Sequence, residues 1–305
     1  MIRKSIVVPF FNSEQYIAQC IEGLLAQNYP QQHYEIIMID NNSTDASAEI
    51  VKFYPRIKLM SEEKRGAYAA RNRGVREAKG EIIAFTDADC VPSSNWLQEI
   101  DVAMTDSGIG IVIGSHGLAR DSFFLSRLAD YESEKNNYIF SSEIKELYYG
   151  YTRNMAVVKT LFNVIGPFVE TDRGSDVVFV YRCIERYSYK VVCYSPKIRV
   201  WHMEIDSLSE YFRKVFVYGG SSQKYRHLVC ARPLTNRERL LVFRRTIRNR
   251  SYSWIESLSL LGLLAIGLVY WIVGNISVTP GLSACMAGPG PKRERHGRAA
   301  QEEFH

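Results

Sequence analysis

The sequence predicts an α/β protein with a mostly parallel central sheet. Over the first hundred residues, short apolar runs alternate with stretches of helical periodicity. The apolar runs are 5–7 residues long, and each helical stretch separates two of them. The runs end in polar residues, at Pro9 to Asn12, Asp40 to Asp45 and Asp87 to Asp89. Ligands of parallel sheets bind outside the carboxyl ends of the strands, so these three places are the candidate site.

The elements follow in order. Ser5–Phe11 reads as a buried strand, and Asn12 with Gln15 as a capping box before a helix carrying Ile17, Ile21, Leu24 and Leu25. Tyr34–Asp40 is the second strand, Asp45–Tyr54 a helix and Arg56–Ser61 the third strand. Gly66–Lys79 is a helix with Gly80 as its C-cap. Glu81–Thr86 is the fourth strand, Ser93–Met104 a helix and Gly108–Gly114 the fifth strand. Beyond that the pattern loosens. Helices are expected over 121–145, near Val157–Ile165, from Ser175, and over Ser207–Arg226, with strands at Tyr189–Tyr194 and Ile198–Trp201.

Leu258–Val273 carries no charge, and the wider stretch Ser257–Asn275 holds nineteen residues, about 28 Å of helix. That length just spans a bilayer core of about 30 Å. A buried core helix or an interfacial one fits the same pattern. The basic run 244–250 ahead of it favours a membrane helix with a cytoplasmic flank. The stretch from Thr279 is rich in Gly, Pro and Arg without periodicity and reads as a disordered tail. The six cysteines form no C-x-x-C pair, which argues against a zinc ribbon and suits a reducing compartment. The first apolar run is too short for a signal-peptide core, so cytoplasmic residence is expected.

Asp87-Ala88-Asp89 places two carboxylates at i and i+2 directly after an apolar strand. A strand end holds them rigidly and the turn lets both reach one hard cation, Mn2+ or Mg2+. A solvated turn is the alternative. Asp40 ends the second strand ahead of the residues that could cap the next helix, Thr44 and Asp45. Its carboxylate could accept from the N3–H of a uracil, with Pro9 walling the base pocket. Gly66 lets the chain turn into a helix whose amides attract phosphate. Arg71 lies just over one turn in, and its planar guanidinium suits a phosphate or a base edge.

With these motifs in place, IVVPFFNSEQYI, IIMIDNNSTDAS and KRGAYAARNRGVREAKGEIIAFTDADC together resemble the nucleotide-binding half of the family 2 inverting glycosyltransferases. The resemblance covers about the first 100 residues, and it implies a GT-A fold. It resumes at Thr152–Val158 and at Gly166-Pro167-Phe168. The family then carries Gly-Glu-Asp at a helix start; here Gly174-Ser175-Asp176 stands, so the Glu is lost and the Asp kept. By that resemblance Asp176 is the general base that takes the proton of the acceptor hydroxyl. Asn41 stands where the family has a second acidic residue. His202, after a strand, completes the metal site in the same reading, or is a satisfied structural histidine. Arg213, Lys214, Tyr218 and Gly219-Gly220 would form a basic, aromatic lid. The Gln-x-x-Arg-Trp motif of the processive polysaccharide synthases is missing, which favours transfer of a single sugar.

The expected organisation is a GT-A domain over 1–230, with a nucleotide-sugar half (1–115) and an acceptor half (116–230). A basic amphipathic segment (231–256), a transmembrane or interfacial helix (257–276) and a disordered tail (277–305) follow. The donor is a nucleotide-diphospho-sugar, with a UDP-sugar favoured. The acceptor is lipid-linked or another glycan at the cytoplasmic face of a membrane, in cell-surface or exopolysaccharide synthesis. A Rossmann oxidoreductase is disfavoured because Pro-Phe-Phe-Asn stands where G-x-G-x-x-G belongs. A nucleotidyltransferase would show a Gly-rich loop near the first strand. A nucleic-acid enzyme is disfavoured because the basic residues flank the apolar helix. A catalytically inactive sugar-nucleotide binder or scaffold remains the alternative.

Overall fold

The protein is seen here as a computed structural model, which describes residues 2–106, 108–118, 122–225 and 227–277. The tail expected over 277–305 lies outside the described residues except for Ser277. The strands are β1 (Lys4–Phe10), β2 (Tyr34–Asp40), β3 (Ile57–Ser61), β4 (Ile82–Thr86), β5 (Cys90–Pro92), β6 (Ile111–Leu118), β7 (Asn154–Val158) and β8 (Val192–His202). Among the described residues they form one sheet in the order β3-β2-β1-β4-β7-β6-β8-β5. The β3-β2-β1-β4 half is parallel, as the alternation of strands and helices requires.

The other half is mixed. β7 runs antiparallel between β4 and β6, and β5 antiparallel to β8. The fifth apolar run therefore does not extend the parallel half. It begins at Ile111 rather than Gly108 and pairs parallel with β8, some eighty residues on. Val157 and Val158 end strand β7 instead of opening a helix, because both their ladder partners come from β4 and β6. The two short strands expected over 189–201 are one strand, β8, with a register shift opposite Gly114/Ser115. Pro196 sits at that irregularity, where its missing N–H costs no ladder bond.

Strands β1, β2 and β4 are buried on both faces, which is why they read as continuous apolar runs. Val7, Ile37, Ile83 and Phe85 face one core, and Ile6, Met38, Ala84 and Val112 the other. The first core is covered by α3 (Ala67–Glu77), α6 (Thr160–Ile165) and α7 (Ser175–Arg186). The second is covered by α1 (Ile17–Leu25) and α4 (Trp96–Ala103), with the short α2 (Ser47–Lys52) against the β3 edge. The described cysteines are free thiols.

Two local signals resolve differently from their reading in the sequence. No Asn12–Gln15 capping box forms: α1 starts at Ile17, and Asn12, at φ +48°, uses its Oδ1 to accept from the Thr44 amide at 2.8 Å. Gly80 is not a left-handed cap, since α3 ends at Glu77. Glycine is required there because an added Cβ would lie 2.6 Å from the backbone of Lys4 and Ser5.

A third layer comes from the later helices α5 (Phe123–Ser141), α8 (Leu208–Tyr225), α9 (Asn236–Arg250) and α10 (Trp254–Ser277). α10 lies along α8. An added Cβ on Gly219 would meet the Trp271 carbonyl at 2.2 Å, and one on Gly274 the Phe216 carbonyl at 2.0 Å. Phe212 stacks on Tyr270 at 5.3 Å, and Arg127 of α5 pairs with Glu256 in the first turn of α10. The apolar helix is thus docked from end to end. Its other face, including Leu258, Leu261, Val269, Ile272 and Ile276, is exposed.

Asn41, directly after β2, sets the entry to α3. Its amide nitrogen donates to the Glu62 and Lys64 carbonyls at 2.9 and 2.8 Å, and its Oδ1 accepts from the Gly66 amide at 2.7 Å. A carboxylate could not make the two donations, so the amide that replaces the family's second acid is tied into the 62–66 loop rather than offered to a ligand. Asn41→Ala removes all three bonds, with Asn42 Nδ2 still donating to the Glu62 carbonyl at 3.2 Å, and is expected to cost about 1–3 kcal/mol. Urea denaturation of the two proteins measures this.

Candidate active site

A cavity of about 650 Å3 opens beyond the carboxyl end of β4. Asp87 and Asp89 sit in the turn that leaves β4, and the chain re-enters the sheet at once through β5, where Cys90 pairs with His202 at the end of β8. The turn is therefore held at both ends, and the pairing brings His202 beside Asp89. Asp89 Oδ2 and His202 Nε2 are 3.5 Å apart. Burial, and then the neighbouring Asp87, push the Asp89 carboxyl up to about 7. Burial, and then the charges of Arg153 and Lys214, lower His202 to about 2. His202 is thus a neutral imidazole, and its contact with Asp89 is not an ion pair. Its Nδ1 is buried without a hydrogen-bond partner.

Ligand atoms of Asp89, Cys90 and His202 lie within 4.8 Å of one another, close enough to share a cation. The Cys90 thiol is pushed up strongly by burial and stays protonated, so it is a poor ligand for a hard ion. It donates to Asp89 Oδ1 at 3.4 Å. The carboxylate oxygen and neutral imidazole nitrogen that remain fit manganese or magnesium. Asp87 stands apart from this group: its Oδ1 accepts from Arg71 Nη2 at 2.6 Å.

Arg71 is buried on α3, one turn after Tyr68, with its guanidinium 5.1 Å from the Tyr68 ring. Gly66, at φ +124°, starts this helix as the sequence suggests. Tyr68 donates to Asp176 Oδ1 at 2.8 Å. The same oxygen accepts from the Val177 amide at 3.0 Å, and Oδ2 from the Thr152 amide at 3.1 Å. Burial raises the Asp176 carboxyl, while Arg71 and these hydrogen bonds pull it back down. The carboxylate is held in place by three donors, at the N-terminus of α7 just after Gly174, at φ +84°.

Arg71, Asp87, Asp89, Asp176 and His202 all line this cavity. Pro9 and Asp40 do not: Pro9 is buried within β1, and Asp40 Oδ1 accepts from the Ser43 amide at 2.9 Å. They lie one and two strands away from β4, at the same edge of the sheet. Of the expected lid, Lys214 and Tyr218 line the cavity. Arg213 is turned out to Glu210 and Glu204, and Gly219 serves the α8–α10 contact. Sequence reasoning passed over Tyr68, His116, Arg153 and Trp271, which also line the cavity. The three-residue spacing of Tyr68 and Arg71 on one helix face was a usable signal. Trp271 carried none, since its place depends on the docking of α10.

The chain was compared with known proteins. The model of glycosyl transferase family 2 matches residues 5–166, more than half of the chain. Glycosyltransferase AglE of Haloferax volcanii is 34% identical over 116 residues, which are 36% of this chain and 38% of that protein. Only about two fifths of that relative's length is therefore spanned by the match. Mannosyltransferase PcManGT from Pyrobaculum calidifontis, solved with GDP-Man and Mn2+, superposes with a TM-score of 0.60 at 19% identity, covering 90% of this chain and 86% of that one. TarS 1-349 of S. aureus, solved with UDP-GlcNAc, superposes with a TM-score of 0.52 at 16% identity, covering 91% and 84%. These two likenesses establish the GT-A glycosyltransferase fold. Together with the match over its strand-end motifs, they lead to the conclusion that the chain belongs to glycosyl transferase family 2.

Proposed function

We propose that the protein is an inverting glycosyltransferase that moves one sugar from a nucleotide-diphospho-sugar to a membrane-associated acceptor. The observation that carries this reading is the shared cavity of Asp87, Asp89 and His202 with Asp176. Asp176 takes the proton of the acceptor hydroxyl. The hydroxyl oxygen then forms its bond to the anomeric carbon as the bond from that carbon to the diphosphate breaks, and the nucleoside diphosphate leaves from the opposite face with inversion. Asp89 and His202, with Asp87 beside them, would hold a divalent cation, which neutralises charge on the departing diphosphate. Arg71 pairs with Asp87 and orients it, and Tyr68 holds Asp176 toward the cavity. Pro9 and Asp40 would receive the base, with uracil favoured. The solved neighbours support a nucleotide-diphospho-sugar donor: PcManGT was solved with GDP-Man and Mn2+, and TarS with UDP-GlcNAc.

Calorimetric titration of UDP, GDP, dTDP and CDP, with and without manganese, tests the site. One nucleotide should bind with manganese and lose at least tenfold in affinity in Asp89→Asn. Asp176→Asn should keep that affinity and lose turnover by about 10²–10⁴-fold. Unchanged turnover in Asp176→Asn would remove the base assignment. Failure of every nucleotide to bind would remove the donor site.

α10 is 24 residues long, with 17% of its apolar window buried. Spanning a bilayer would strip it from α8 and open the Gly219/Gly274 seam. We infer that it lies in the membrane interface instead, with its exposed apolar face in the lipid. Arg237, Arg244 and Arg248 of α9 are exposed beside Leu240 and Leu241 and suit the anionic headgroups of a cytoplasmic leaflet. Trp271, on α10, lines the cavity, which fits a lipid-linked acceptor in the synthesis of a surface glycan. Leu261→Glu with Ile272→Glu should cut sedimentation with phosphatidylglycerol vesicles at least tenfold without changing Tm. Protease access to both ends of α10 from opposite sides of a vesicle would contradict the in-plane placement.

A further inference from the structure

Several buried or half-buried cations among the described residues come with a carboxylate. Lys4 has Asp101, Arg71 has Asp87, Arg127 has Glu256, Lys135 has Glu132 and Lys214 has Glu204. Arg153, which lines the cavity, has no carboxylate within ion-pair range among the described residues. Its Nη1 donates to the Tyr218 hydroxyl at 3.4 Å, and its Nη2 is 3.4 Å from His116 Nε2. Both contacts are at the long limit for a hydrogen bond. Arg153 Nε and His116 Nδ1 are buried with no partner at all. The guanidinium lies 5.3 Å from the Tyr151 ring, which fixes its plane. An always-charged side chain is thus held in a partly desolvated cavity with most of its donor fork unused, which is costly unless an anion completes it.

The placement says which anion. Arg153 follows Thr152, whose amide holds Asp176, and precedes Asn154, which pairs with Thr86 beside Asp87. It therefore sits between the carboxylate assigned as base and those assigned to the diphosphate. Its side chain reaches the Tyr218 hydroxyl, and the guanidinium of Arg173, on the loop just before Asp176, lies 6.0 Å from the centre of that ring. Arg153, Tyr218 and Arg173 line the same cavity as Asp176, which the amide just before Arg153 holds, and Asp87.

We propose that Arg153, with Tyr218 and Arg173, is an anion subsite for a phosphate or carboxylate carried by the acceptor near its attacking hydroxyl, separate from the donor's diphosphate. The inference rests on the donor reading of the same cavity. Substrates of this class are phosphorylated polyols, sugar phosphates and lipid phosphates. A neutral glycan would leave the guanidinium unanswered.

The test uses the full chain, glycerol 3-phosphate as probe, and calorimetry with and without saturating UDP and magnesium. The wild-type protein should bind the probe with UDP present. Arg153→Gln should lose that binding at least tenfold, and Arg153→Lys should recover part of it. The affinity for UDP should change less than threefold in both. Arg173→Gln, at an exposed position, should weaken the probe several-fold and covers the case in which Arg153→Gln does not fold. Competition between the probe and UDP, or a tenfold loss of UDP affinity in Arg153→Gln, would assign Arg153 to the donor's diphosphate and overturn the proposal. So would a wild-type protein that binds no probe in either condition. Arg153-dependent binding of the probe by a protein that binds no nucleotide would uphold the subsite and remove the donor reading instead.

Discussion

The site depends on how like charges are kept apart. Asp87, Asp89 and Asp176 face one cavity, and ionised carboxylates in a shared, poorly solvated space repel. Arg71 makes the arrangement possible. It is paired with Asp87 and lies close enough to lower Asp176 as well. It is itself carried by α3, whose start is fixed by the Asn41 clamp on the 62–66 loop. Burial, and then Asp87, drive the Asp89 carboxyl upward, and Lys214 offsets them only in part. Asp176 is also raised by burial, with Arg71 opposing the shift.

The parallel half of this architecture is legible because its information is local. The expected and observed bounds of β2 coincide at Tyr34–Asp40, and the strand-end positions of Asp40 and of the Asp87–Asp89 turn follow from the apolar runs before them. What stays hidden depends on distant partners. β7 is short and antiparallel, and it is a strand only because β4 and β6 flank it, so Val157 and Val158 read equally well as a helix start. Gly80 looks like a cap in sequence and is a close-approach residue in space. Lys4 was not expected in a strand core, yet it is fully buried because Asp101 and Tyr29 meet its ammonium there. At the site, carboxylates announce themselves by spacing. Tyr68, Arg153 and Trp271 acquire meaning only from the surface they share.

The second half of the chain closes the cavity and adds the exposed apolar helix. α8 lines the cavity with Lys214 and Tyr218, and its opposite face is closed by α10 through two glycine contacts that admit no larger side chain. One helix pair therefore joins the apolar exposed surface to the reaction cavity. A lipid-linked acceptor held at that surface would need to travel only across α8 to reach Asp176. An uncharged exposed side of α10, with Arg153 and Arg173 at the cavity, suits the proposed amphiphilic substrate with an anionic polar end.

The proposed reaction is a single displacement, with Asp176 on one side of the anomeric carbon and the diphosphate on the other. The anomer first released when the protein hydrolyses its donor tests this without knowledge of the acceptor. Proton NMR would follow the hydrolysis, within the first minutes, of whichever nucleotide sugar carries the nucleotide the protein binds. The account predicts that the first sugar to appear has the configuration opposite to the donor's and equilibrates only afterwards. A first product with the donor's own configuration would contradict it, and Asp176 would have to be reassigned.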